Sequence, residues 1–110
     1  MNFGNFGKMA GMMQKINKIK KELQDLDQTF SAETFKGQAG GGLVEVTING
    51  KIEIVGIDID NSLFTGEDKS MIGDLIAAAF NNAKQQAEQQ KQDKIKNITG
   101  GLSLPPGLGF

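Results

Sequence analysis

Residues 47–60, TINGKIEIVGIDID, place an Asn-Gly pair between two runs of alternating apolar residues. That pattern predicts a β-hairpin, because Asn and Gly accept the backbone angles that match the twist of paired strands. The alternation then changes phase. Val44, Val46 and Ile48 form one series before the turn, and Ile52 and Ile54 a second after it. Val55, Ile57 and Ile59 form a third, on the opposite parity. A three-residue loop with Gly at its left-handed position brings the first two series onto one face. One extra residue, a β-bulge where Val55 meets Gly56, returns Ile57 and Ile59 to it. The expected sheet therefore keeps one apolar face on the helices throughout.

Working outward, TFSAETFKGQAGGGLVEVTING predicts a first strand near residues 30–37, a turn at Gly40–Gly42 and a second strand at 43–48. The third strand occupies 51–60. Upstream, Met9, Met12, Ile16, Ile19, Leu23, Leu26 and Phe30 alternate spacings of three and four. This seam predicts a helix over 5–28 that packs lengthwise on another helix. A Met stripe also suits an adaptable peptide-binding surface, but core or seam is the simpler reading. Downstream, Thr65 is read as an N-cap with Asp68 at the third helical position. Met71, Ile72, Leu75, Ile76, Ala79, Phe80, Ala83 and Ala87 form a helical stripe, and Gly100-Gly101 end it.

That second helix spans about thirty-three residues, roughly 50 Å at 1.5 Å per residue. A compact domain of this size has a radius of gyration of only about 13 Å. The helix must therefore project or pair. Its distal half, KQQAEQQKQDKIKN, is almost wholly polar and needs helical neighbours to be stable. The predicted class is α+β in a single domain over 1–110: a helical arm at 1–29, an antiparallel sheet at 30–60, a long helix at 65–99 and a Gly/Pro-rich tail at 100–110. The tail LSLPPGLGF cannot continue the helix through Pro105-Pro106 and reads as flexible or as a strap over a neighbour.

The absent residues narrow the chemistry. The chain has no Cys and no His, which removes thiolate chemistry, zinc–thiolate sites and the commonest general base. It also has no Trp, Tyr or Arg, so all twelve basic residues are lysines. GQAGGG lacks both the GK[ST] ending of a phosphate-binding loop and a helix after it. Asp58 and Asp60 suggest a paired-carboxylate metal site, but no third acid is near in sequence and Asp60-Asn61-Ser62 as an ordinary turn or capping cluster is the simpler reading. No Ser or Lys sits in an activating motif. The expectation is a non-enzyme with no cofactor, no metal and no small-molecule substrate.

No stretch approaches the ~20 apolar residues of a membrane helix. The Met-rich N-terminus, broken by glycines and lysines, lacks a signal peptide's apolar centre, so a cytoplasmic protein without membrane contact is expected. The net charge of −1 conceals segregation: +5 over residues 1–21, −8 over 22–83 and +2 over 84–110. Such segregation concerns partners more than fold. Lys8, Lys15, Lys18, Lys20 and Lys21 on the first helix, with Lys84, Lys91, Lys94 and Lys96 on the second, are candidate phosphate contacts. Asn81, Asn82 and the glutamines from Gln85 to Gln92 are candidates for touching base edges, although a solvated helix face is the simpler reading.

In their order, FGKMAGMMQKINKIKKELQ, GQAGGGLVEVTINGKIEIVGIDID, EDKSMIGDLIAAAFNNA and ITGGLSLPPGLGF resemble the YbaB/EbfC nucleoid-associated proteins over nearly the whole chain. The resemblance implies a small bacterial protein of the cytoplasm and nucleoid that dimerises through its sheet region. Its paired helices project like tweezers and bind double-stranded DNA, acting in nucleoid organisation or regulation. Family arms often carry Arg as well as Lys, whereas this chain has Lys alone and a Gln-rich distal arm. The alternative reading is a protein-binding, holdase-like dimer using paired arms and the Met-rich end of the first helix. Excess apolar surface on the sheet and along Ile72–Phe80 independently predicts a homodimer.

Overall fold

A computed structural model describes residues 3–65 and 69–100, with side chains from Met9 onward. The elements run α1 (Phe3–Ala32), β1 (Thr34–Ala39), β2 (Val44–Asn49), β3 (Ile54–Ile59), a short 3-10 turn (Asn61–Thr65) and α2 (Lys69–Thr99). The three strands form one antiparallel sheet in the order β1-β2-β3. The molecule is a rod of 80 × 20 × 19 Å with a radius of gyration of 21.1 Å. The long helices do project.

The register supports the bulge read from the parity change. Ile48 pairs with Ile54 and Thr47 with Gly56, so Val55 is the extra residue on β3. Val46 then faces Ile57, and Val44 faces Ile59, on one side of the sheet. Burial divides that side. Val44, Val46 and Ile48 are fully buried beneath α2, whereas Ile54, Val55 and Ile57 are about half exposed. The expectation that the helices cover the apolar face throughout is thus corrected: α2 lies over β1 and β2, and β3 overhangs it.

The third strand, β3, is shorter than the 51–60 expected for it, and three further features differ from the expectation. First, α1 continues through Ala32, so residues 30–32 are helical and β1 starts at Thr34. Phe30, the last residue of the seam, is buried against Phe35 with ring centroids 5.2 Å apart. Second, the β2–β3 loop has the expected three residues, but its left-handed position holds Ile52 (φ 62°). Asn49 holds the loop by accepting at Oδ1 from the N–H groups of Lys51 and Glu53. Gly50 answers a different need: a Cβ there would lie 1.9 Å from the Phe30 carbonyl oxygen. Third, the seam is buried only from Ile19 to Phe30, with Met9 and Met12 exposed and Ile16 half-buried.

The core sits where α2 crosses the sheet. Ala79, Ala83 and Ala87 are fully buried, and Gly37 of β1 lies directly beneath Ala79 and Ala83. Beyond the sheet, Ile95 and Ile98 of α2 join Ile19, Leu23 and Leu26 of α1. Gly100, with φ 62° and its N–H donating to the Lys96 carbonyl, ends α2 as its position predicts. Part of the capping arrangement proposed for α2, Gly66 to Asp68, lies outside the described residues, as does the tail from Gly101. Thr65 closes the 3-10 turn, its hydroxyl donating to the Ser62 carbonyl.

Candidate nucleic-acid interface

The lysines of the two helices differ in what surrounds them. On α1, Lys15, Lys18, Lys20 and Lys21 are all exposed, and none forms an ion pair among the described residues. They occupy positions flanking the buried Ile19 and Leu23, so packing holds the helix while leaving the ammoniums in solvent. Lys15 and Lys18 border a shallow cleft with Ile19, Glu22, Ile98, Thr99 and Gly100. The end of α2 thus lies against the basic stretch of α1. The side chain of Lys8, the remaining candidate on this helix, is outside the described residues.

On α2 most candidates already have anions. Lys84 pairs with Glu88 one turn on, at 3.9 Å. Lys91 reaches Asp27 of α1 at 3.4 Å, and Lys94 donates to Glu33 at 2.5 Å. Both ammoniums also stand over the Phe30 ring, 5.9 and 5.4 Å from its centroid. Such cation–π contacts add modestly to exposed pairs. Only Lys96 of this group is exposed without an ion pair among the described residues; it sits in the last turn of α2, where a cation suits the helix dipole. Of the eight candidate lysines whose side chains are described, three therefore have a carboxylate partner and five have none among the described residues. The clasp of Lys91, Lys94, Phe30, Asp27 and Glu33 was not foreseen, and its partners are as much as sixty-one residues apart.

Part of the carboxamide row on α2 is also engaged. Gln86 Nε2 donates to the Lys36 carbonyl and to Asn82 Oδ1, and Gln89 Nε2 donates to Asp93. Asn81, Gln85 and Gln90 remain exposed along the same helix. Of the Asp58–Asp60 pair, Asp58 lies in β3 opposite Glu45 and Asp60 makes a turn. Asp60 accepts from the Ser62 N–H at 2.9 Å. The Ser62 hydroxyl first, and that N–H second, hold the Asp60 carboxyl below the usual carboxylate range. Among the described residues no cluster of three or more His, Cys, Asp or Glu side chains is placed to hold a metal ion. No helix among them is long and apolar enough to cross a membrane.

A second surface feature is apolar. Ile54, Val55 and Ile57 of β3, Phe64 of the 3-10 turn and Met71 of α2 are exposed large hydrophobics. Met9, Met12 and Met13 are exposed near the free end of α1.

Comparison with known proteins agrees with this architecture. The profile of the YbaB/EbfC DNA-binding family matches residues 5–102. A nucleoid-associated protein of Agrobacterium fabrum is 43% identical over 100 residues, covering 91% of this chain and 94% of that protein. A nucleoid-associated protein of Rickettsia akari is 42% identical over 108 residues, covering 98% and 95%. The crystal structure of an uncharacterized Helicobacter pylori protein superimposes with a TM-score of 0.62 at 29% identity, over 74% of this chain and 95% of that one. The match extends from α1 to just beyond α2, and the chain belongs to the YbaB/EbfC DNA-binding family.

Proposed function

We propose that this protein is a nucleoid-associated homodimer without enzymatic activity that binds double-stranded DNA with little sequence preference. It acts in the cytoplasm, at the nucleoid, and influences DNA organisation and gene expression. The observation that carries the reading is the set of exposed lysines on α1, Lys15, Lys18, Lys20 and Lys21, which form no ion pair among the described residues. Lysines on a projecting helix supply phosphate contacts without base readout. The absence of Arg removes the commonest bidentate guanine contact. Lys96 extends the set on α2, and Lys8 on α1 belongs to it by sequence.

The test is duplex binding across a salt series. With about six phosphate contacts per dimer, log K falls against log salt with a slope near −5, at ~0.9 per contact. Unrelated duplexes should compete within a small factor of one another. One sequence favoured a thousandfold would contradict the reading and assign direct readout to Asn81, Gln85 or Gln90.

The overhang of β3 supports the dimer. Ile54, Val55 and Ile57 leave an apolar strip uncovered in the single chain, and Phe64 and Met71 are exposed further along it. A second copy covers it by an isologous contact, in which each chain offers the same patch. Sedimentation equilibrium at low micromolar concentration should give twice the chain mass; a stable folded monomer there rules this out. Exposed Met9, Met12 and Met13 favour a second reading, a dimer that holds apolar peptide segments between its arms. The same salt series separates the two, since apolar contacts give almost no slope.

A further inference from the structure

We propose that Asp27 and Glu33 set the DNA affinity of this protein by occupying Lys91 and Lys94, standing where backbone phosphates otherwise bind. The inference rests on the DNA-binding reading above. Both lysines lie on the distal half of α2, and both are claimed by carboxylates, Asp27 of α1 and Glu33 just after it. Both pairs reach solvent, Lys91–Asp27 with side chains 43% and 75% exposed and the part-buried Lys94–Glu33 with 38% and 39%. Exposed ion pairs of this kind contribute little to stability, so an incoming anion can replace the carboxylate. A duplex presents a phosphate about every 1.7 Å along its axis, and it releases counterions when lysines reach it. The Phe30 ring adds a second contact to both ammoniums, which stand 5.9 and 5.4 Å from its centroid. The clasp therefore keeps two cations per chain in place but neutralised. The four free lysines of α1 do not share this restraint.

A purely structural clamp would behave differently. Neutralising its acids would loosen α1 from α2 without strengthening DNA binding. The experiment compares Asp27→Asn/Glu33→Gln in two backgrounds, with native lysines and with Lys91→Gln/Lys94→Gln. Any general effect of removing two negative charges appears in both, whereas release of the lysines appears only in the first. With native lysines, duplex affinity at fixed salt should rise at least about fivefold, and the salt slope should steepen by ~0.9 for each lysine released. In the glutamine background the same change should raise affinity by less than about twofold, with no change of slope. Thermal unfolding by circular dichroism should show intact helices in all four proteins. An equal rise in both backgrounds, or no rise with native lysines, overturns this proposal alone. A parent protein that shows no salt-dependent duplex binding overturns the DNA reading and this proposal together.

Discussion

Replacing Gly37 with Ala should lower stability by about 2–3 kcal/mol, the upper part of the range for overpacking a core. The added Cβ would stand 2.1 Å from the Ala79 carbonyl oxygen and 2.4 Å from the Ala83 nitrogen. Both are backbone atoms of α2, so no side chain can rotate away; the helix or the strand has to move. Moving either opens the layer formed by Ala79, Ala83 and Val46, all fully buried. Gly50→Ala should cost a similar amount, because its Cβ would lie 1.9 Å from the Phe30 carbonyl oxygen and 2.7 Å from the Phe30 ring. That site decides whether the end of α1 docks on the β2–β3 turn. Gly11→Ala is the control of opposite sign. It is helical with nothing within 4 Å of the new methyl, so it should gain up to about 0.5–1 kcal/mol from helix propensity. Thermal unfolding at one fixed protein concentration reads all three, with each kcal/mol worth about 4–8 °C in a domain near this size. A Gly37→Ala protein as stable as the parent would mean that α2 does not pack on β1 at this distance.

These glycines also mark the limit of what the sequence disclosed. The bulge at Val55 was legible because strand side chains alternate strictly, so a parity change has to be absorbed by one extra residue. The Asn-Gly pair correctly marked a turn, yet the left-handed residue is Ile52, and Gly50 answers to Phe30 twenty positions away. Turn statistics carry local backbone preference and contain no term for a helix arriving from elsewhere. The seam of α1 shows the same limit. Its spacing defined which face is apolar from Met9 to Phe30, but burial needs a partner, and α2 ends at Thr99 beside Ile19. Lysine positions were legible one by one. Their partners were not, since Asp27 and Glu33 meet Lys91 and Lys94 only after the sheet has folded the chain back.

The largest effect on binding is expected from Lys15→Glu/Lys18→Glu, which should weaken duplex affinity at least tenfold, about 1.4 kcal/mol. Each change removes a phosphate contact and adds a repulsive charge, and in a homodimer the two substitutions alter four positions. Both side chains are exposed and unpaired among the described residues, so no compensating partner is released. Both lie off the buried line of Ile19, Leu23, Leu26 and Phe30, so the helices should survive. Lys51→Glu provides the control. Lys51 is exposed in the β2–β3 turn, where its backbone N–H donates to Asn49, and its ammonium forms no ion pair among the described residues. The control makes the same Lys→Glu change once instead of twice, on the sheet end of the rod, so a general electrostatic effect would appear there at about half the size. Duplex affinity at one salt concentration, with circular dichroism confirming the helices, decides between the surfaces. Unchanged binding in a folded Lys15→Glu/Lys18→Glu protein, or a larger loss from Lys51→Glu, would move the DNA from the arms to the sheet.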